Sequence, residues 1–232
     1  MKIGIVVFPG TNRERDVAQV TEGLLGCPTQ FLWHQQTDLS NSDVVILPGG
    51  FSYGDYLRCG AVAQFSPIMQ AVRQHAQRGG YVLGICNGFQ ILTESGLLPG
   101  ALVRNRDLKF ICDWVHLRVE NTRSLWTRGY QAGQVIYVPV AHGEGCYYAD
   151  PDGIQRLEDN QQVVVRYSDA QGECSDAANI NGSLNHIAGI CNERGNVVGL
   201  MPHPENACDP ALGNTDGLKF FEAMLTEALI LT

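Results

Sequence analysis

Cys86 is the residue around which a reaction could be built. It sits in Gly84-Ile85-Cys86-Asn87-Gly88, behind the apolar run Tyr81-Val82-Leu83 and ahead of Phe89, Leu92 and Thr93 at helical spacing. A change from strand-like to helix-like periodicity across a polar residue reads as strand, sharp turn and helix. Glycines on either side of the cysteine permit a turn too tight for larger side chains. Such a nucleophile elbow lifts one reactive atom above the strand ends and sets it at a helix N-terminus, where the helix dipole favours a thiolate.

A thiol nucleophile needs a base. Met201-Pro202-His203-Pro204-Glu205 follows an apolar run, and each proline biases its predecessor toward extended backbone. In an extended segment His203 and Glu205 share a side, so the carboxylate can fix the imidazole tautomer and stabilise the imidazolium. The order Cys86, His203, Glu205 differs from the nucleophile, acid, histidine order of an α/β-hydrolase, which disfavours that fold. Acyl transfer also needs donors for a developing oxyanion. Pro48-Gly49-Gly50-Phe51 ends another apolar run, and Gly49 and Gly50 let backbone N–H groups approach a substrate with no Cβ in the way. The N–H of Asn87, next to the nucleophile, is the expected second donor. Gln90, four residues beyond Cys86, is a candidate contact to the substrate or its loop, with packing as the alternative.

The elements that would position these groups are legible in part. Ile3–Phe8, Gln30–Trp33 and Asp43–Leu47 are short apolar runs, as expected for parallel strands covered on both faces. A helix capped by Thr11 or Asn12 would carry Val17, Val20, Leu24 and Leu25 on one face and stop at Gly26. A second helix is expected from about Ser66 to Arg78. Val115–Val119, Val135–Val140 and Val163–Tyr167 alternate, the pattern of antiparallel or edge strands with one wetter face. Ile187–Ile190 and Val197–Met201 bracket a polar turn and read as a hairpin, and Leu218, Phe221, Met224, Leu225 and Ala228 form the apolar face of a closing helix. The expected fold class is α/β: an open, mostly parallel sheet with helices on both faces plus antiparallel edge strands. No linker or repeat divides the chain, so residues 1–232 are expected to form a single domain.

Composition narrows the class of function. With 232 residues, 44% hydrophobic, the chain can bury a sizeable core. A formal charge of −8 gives no electrostatic footprint for nucleic acid or an anionic membrane, and no segment has the apolar length of a membrane helix. The eight cysteines are scattered with no C-x-x-C pair, which fits neither a disulfide scaffold nor a zinc site and points to a cytoplasmic protein. Met1–Phe8 is too short for a secretory apolar region and reads as a first strand.

Gly84-Ile85-Cys86-Asn87-Gly88-Phe89-Gln90, with Pro48-Gly49-Gly50 upstream and His203-Pro204-Glu205 downstream, resembles the class I (triad) glutamine amidotransferases. Within that class, Phe8–Asn12, Phe51–Ala61, Val119–Thr122 and Ala141–Gly145 look like the separate glutaminase subunits that serve an amidating synthetase of de novo purine synthesis. The resemblance runs from Lys2 to about Leu229. It implies a flavodoxin-like amidotransferase fold and a catalytic triad of Cys86, His203 and Glu205. It implies an enzyme that hydrolyses L-glutamine through a cysteinyl thioester. Ammonia would pass to a large synthetase subunit that converts formylglycinamide ribonucleotide to formylglycinamidine ribonucleotide, with a small accessory subunit in the same complex. No cofactor or metal is expected in this chain. ATP and Mg are expected on the partner, consistent with the absence of a Walker-type G-x-x-x-x-G-K-[ST] loop. The loops Tyr53–Tyr56 and His142–Gly145 are expected at the docking face and ammonia exit. Two departures stand out: Ile180 replaces the usual proline of Asn-Pro-Asn-Gly-Ser, and Arg13 replaces a smaller residue, neither with an expected catalytic role. The competing readings are a DJ-1/PfpI-like cysteine hydrolase, in which a histidine commonly follows the nucleophile, a non-catalytic docking module, and a flavodoxin-like nucleotide-binding module.

Overall fold

The computed structural model describes the backbone of residues 1–230 and the side chains of residues 1–225. Ala228 of the expected closing helix therefore lies outside the described side chains. The strands are β1 (Ile3–Val7), β2 (Thr29–Trp33), β3 (Val44–Leu47), β4 (Tyr81–Ile85), β5 (Ala101–Val103), β6 (Ile111–Val119), β7 (Val135–His142), β8 (Cys146–Tyr148), β9 (Val163–Ser168), β10 (Ile187–Cys191) and β11 (Val197–Leu200). The helices are α1 (Glu14–Ala18), α2 (Ile68–Gln77), α3 (Asn87–Glu94), α4 (Pro151–Asp159) and α5 (Leu218–Ile230).

Nine strands form one sheet in the order β2-β1-β3-β4-β11-β10-β9-β6-β7, with β5 and β8 as a separate pair. From β2 to β11 every pairing is parallel; from β11 to β7 every pairing is antiparallel. The parallel half is the open α/β sheet read from the apolar runs. Every residue of β3 and β11 is buried, as strands with both faces covered must be. The expected hairpin is the β10–β11 pair, which joins the two halves.

Three local expectations change. Neither Thr11 nor Asn12 caps α1; Arg13 holds that position, and the Thr11 hydroxyl instead accepts from the Phe8 N–H at 3.0 Å, closing the turn after β1. The helix then widens into a π-helical turn over Gln19–Leu24, which leaves Leu24 exposed while Val17 and Val20 are buried. Finally, β9 has no wet face. It lies between β10 and β6, and its one half-buried residue, Arg166, pairs with Glu158 at 2.7 Å and Glu120 at 3.3 Å.

Three adjacent parallel strands, β3, β4 and β11, end together: Leu47 is in register with Gly84, and Leu200 with Ile85. The chain leaving them carries Gly49-Gly50, Cys86 and His203. The topology thus delivers the sequence-selected groups to one edge, the carboxyl edge where α/β sheets place their ligands.

Candidate active site

Cys86 is the pivot between β4 and α3, with φ 51° and ψ −106°. This backbone conformation is costly for a residue with a side chain and persists only where its surroundings enforce it. The enforcement is visible. The Cys86 N–H donates to the Leu200 carbonyl of β11 at 2.8 Å, and its carbonyl accepts from Gln90 N–H at 3.1 Å in the first turn of α3. Glycine is required on both sides because α3 lies directly on the sheet. A Cβ on Gly88 would collide with the Leu47 carbonyl, and one on Gly84 would sit 2.7 Å from the Gly88 carbonyl carbon. The Cys86 thiol faces the Ala141 carbonyl at 3.7 Å.

His203 and Glu205 meet as expected, but by a different route. His203 has φ −109° and ψ 81°, and Pro204–Asn206 forms a single 3₁₀ turn, so the segment is not extended. That turn brings Glu205 Oε1 to 2.7 Å from His203 Nδ1, with both side chains buried. The His203 N–H donates to the Pro139 carbonyl of β7 at 2.8 Å, which fixes the histidine backbone. Burial pushes the imidazole pKa down, but the Glu205 carboxylate and the Cys86 sulfur outweigh it and raise the value to about 10. The Cys86 sulfur acts on the ring both through charge and through its side chain, which places the two side by side. Such contacts commonly tighten only when substrate binds.

Gly49 lies against this ring: a Cβ there would stand 2.7 Å from His203 Cε1. Gly50 has φ 152° and is wedged against the turn after β1, where a Cβ would come within 2.7 Å of Thr11 Cα. The N–H groups of Gly50 and Asn87 have no backbone acceptor among the described residues, as an oxyanion site requires of its donors. The Asn87 side chain has a structural task. It accepts from the Ser52 N–H at 3.2 Å and donates to Gln90 Oε1 at 2.9 Å. Gln90 in turn donates to the Glu144 carbonyl at 2.7 Å. Gln90 is thus buried and bonded to the 142–145 loop.

A cavity of about 260 Å³ opens beside Cys86, lined by Gly50, Phe51, Asp55, Cys59, Gln90, Arg104, Leu108, Lys109, Phe110 and Ala141–Glu144. Gly49, Asn87, His203 and Glu205 are not among its lining residues. The two loops singled out in the sequence both contribute wall residues, Asp55 from one and His142 to Glu144 from the other. The sequence reading missed the 104–110 segment, because a run with Arg104, Arg106, Asp107 and Lys109 between two strands looks like a solvated loop. The structure folds it over the cavity, where Phe110 stacks on Phe51 with ring centroids 6.5 Å apart. Arg104 and Glu144, 3.8 Å apart, place both signs of charge on the wall, a setting suited to a zwitterion. Arg13 also comes closer than expected. Its pKa is raised first by Asp16 and then by Glu205 and Cys86, which sets its charge near those two groups. The second cavity cysteine, Cys59, is held as a thiol by burial and by the neighbouring Asp55 and Glu144 carboxylates. Thus Cys59 is a poor rival to Cys86 as nucleophile.

Residues 1–217 match the CobB/CobQ-like glutamine amidotransferase domain family. The chain is 65% identical to phosphoribosylformylglycinamidine synthase subunit PurQ of Synechocystis sp. over 218 residues, covering 94% of this chain and 97% of that one. It is 63% identical to the same subunit of Acaryochloris marina over 229 residues, covering 99% and 97%. Its fold superimposes on a chain in the structure of PurLQS from Thermotoga maritima with a TM-score of 0.85 at 42% identity, covering 98% of each. A glutamine amidotransferase from Thermotoga maritima shares the fold with a TM-score of 0.60 at 15% identity, covering 100% of this chain and 99% of that one. The chain therefore belongs to the PurQ family of CobB/CobQ-like glutamine amidotransferases.

Proposed function

We propose that this chain hydrolyses L-glutamine to glutamate and ammonia at Cys86 and delivers the ammonia to a synthetase subunit that amidates formylglycinamide ribonucleotide. The observation that carries the reading is the convergence of Cys86, the His203–Glu205 pair and the Gly50 N–H at the ends of three adjacent parallel strands.

In this scheme the Cys86 thiolate attacks the γ-carboxamide carbon, and the carbonyl electrons move to oxygen. The N–H groups of Gly50 and Asn87 hold that oxyanion. Collapse of the tetrahedral intermediate breaks the C–N bond, with the His203 imidazolium giving its proton to the departing nitrogen. The result is ammonia and a γ-glutamyl thioester on Cys86. Neutral His203 then takes a proton from water, whose oxygen attacks the thioester, and the thiolate leaves as glutamate forms. Glu205 supports both steps by stabilising the imidazolium. Gly49 gives the ring room, and Gln90 steadies the wall loop.

Ammonia released into water would be protonated and lose its nucleophilicity, so delivery to a partner completes the scheme. The names of the relatives support that partner, since they are subunits of phosphoribosylformylglycinamidine synthase, and PurLQS of Thermotoga maritima supports a further small subunit. With no phosphate loop in this sequence, ATP and Mg are assigned to the synthetase. The loops at 53–56 and 142–145 are assigned to the docking face. A cytoplasmic location is supported by eight free cysteines, and no described helix is long and apolar enough to cross a membrane.

The test is glutamate release from glutamine by the chain and by Cys86→Ala, each with and without a synthetase subunit, ATP and formylglycinamide ribonucleotide. Little activity is expected from the chain alone. The full complex should be active, and Cys86→Ala should lose roughly a millionfold in kcat. No glutaminase in any mixture, with Cys86 still readily alkylated, would sink the reading in favour of a DJ-1-like hydrolase or a docking module.

A further inference from the structure

The catalytic scheme leaves one buried group of the cavity unused. His142, the last residue of β7, is 3% exposed and lines the same cavity as Cys86, yet its Nε2 has no partner among the described residues. A buried polar atom without a partner is expensive, and its retention calls for an explanation.

Its hydrogen-bonding character follows from its neighbour. Asn105 Nδ2 donates to two backbone carbonyls, of Lys109 at 2.8 Å and of His142 itself at 2.9 Å. Asn105 Oδ1 accepts from the Gly145 N–H at 2.9 Å. Those three bonds fix which end of the amide is oxygen. His142 Nδ1 lies 3.1 Å from that oxygen and therefore carries the proton. The ring is also kept neutral: burial, and secondarily the charge of His203, lower its pKa to about 4. The unused Nε2 is then a lone-pair acceptor with no proton to give. The ring follows directly on Ala141, whose carbonyl faces the Cys86 thiol at 3.7 Å, so it stands at the reacting end of the cavity.

We infer that His142 Nε2 accepts a hydrogen bond from the γ-amide nitrogen of bound glutamine and from the ammonia that leaves it. This rests on the glutaminase reading above. The chemistry suits the task, because an acceptor without a proton can hold ammonia while being unable to convert it to ammonium. It also discriminates between substrates, since glutamate and γ-esters offer no N–H at that position.

Two isosteres separate this role from a structural one. His142→Asn keeps a donor where Nδ1 stands, preserving the Asn105 bond, and removes the acceptor. His142→Gln does the reverse. Each variant is assembled with the synthetase subunit and assayed with L-glutamine and with L-glutamate γ-methyl ester, which forms the same thioester but has no N–H. Glutamate release by wild type and its loss in Cys86→Ala establish the underlying reading separately. His142→Asn should lose about tenfold in kcat/KM for glutamine, the worth of one hydrogen bond, with a much smaller loss for the ester. His142→Gln should keep the glutamine-to-ester ratio of wild type even if its melting temperature falls. The inference is overturned if His142→Asn leaves that ratio unchanged, whether both rates fall together or neither does. It is equally overturned if Gln shifts the ratio and Asn does not. Should His142→Asn fail to fold, the His142→Gln ratio alone decides: a wild-type ratio supports the acceptor, and a shifted one ends it.

Discussion

His203 and His142 stand near the same cavity but belong to different halves of the sheet, and their environments push them in opposite directions. His203 follows a parallel strand, holds a carboxylate at 2.7 Å, and has its pKa raised to about 10. His142 ends an antiparallel strand, holds an amide oxygen at 3.1 Å, and has its pKa lowered to about 4. Burial disfavours the cation in both. The difference is the neighbours: a carboxylate together with the Cys86 sulfur outweighs burial at His203, and an amide does not at His142. One imidazole is thereby equipped to carry a proton and the other to remain without one. In acid–base sites, groups whose environments drive their pKa values apart identify the division of labour.

The comparison is broken most severely by disturbing the carrier's position. The Gly49→Ala Cβ would stand 2.7 Å from His203 Cε1, and the ring is too buried to swing aside freely. Moving a general acid–base group by about 1 Å costs roughly a hundredfold, so Gly49→Ala should lower kcat for glutamine by about that factor. Alkylation of Cys86 should survive, because the thiol itself is not displaced. Full glutaminase activity in Gly49→Ala would show that His203 is not held by this contact.

The second test separates the two histidines by pH. The lowered His142 pKa means that the unfolded chain binds more protons below pH 6.5 than the folded one, so stability falls as pH drops from about 6.5 toward 4. That loss is on the order of 2 kcal/mol between pH 7 and pH 5. The raised His203 pKa has the opposite sign. The folded state binds the extra proton, its stabilisation is complete below pH 6.5, and it drains away as pH rises toward about 10. His142→Asn should therefore flatten the acid side of a plot of melting temperature against pH. Glu205→Gln should flatten the alkaline side. Parallel curves for wild type and both variants would mean that neither ring titrates as its surroundings dictate.

These two histidines also mark what the sequence could and could not reveal. Cys86, Gly50 and His203 announced themselves because each directly follows an apolar strand, and strand-to-turn boundaries are written locally in glycine and proline. The contact of His203 with Glu205 was anticipated from extended geometry, yet a 3₁₀ turn makes it; spacing of two satisfied either conformation. His142 appeared only as part of a glycine-rich loop. Its meaning depends on Asn105, 37 positions away, and the loop depends on Asn181, whose side chain donates to the Gly145 carbonyl at 2.8 Å. Such side-chain anchors cross the sequence without periodicity, so no local pattern reports them. The Arg104–Phe110 wall was hidden for the same reason. The cap expected at Thr11 was a choice between two uses of one hydroxyl, which only the packed turn decides.

The smallest expected effect concerns the elbow. At φ 51° and ψ −106° Cys86 occupies backbone space that glycine enters freely and other residues enter at a cost of about 1–3 kcal/mol. The structure enforces it by the bond to Leu200 and the close approach of Gly84 to Gly88. Cys86→Gly should release that strain, less the roughly 0.5–1 kcal/mol that glycine adds to the freedom of the unfolded chain. The net gain is about 1 kcal/mol, or a rise of about 2–4 °C in melting temperature for a chain of this length. Cys86→Ala retains the Cβ and should show no such rise, while both variants lose the reaction. If the two melt together, the elbow is not strained, and its geometry follows from local turn preference. If glycine alone stabilises, part of the fold's stability is given up to hold one sulfur above the sheet, at the place where His203 can reach it.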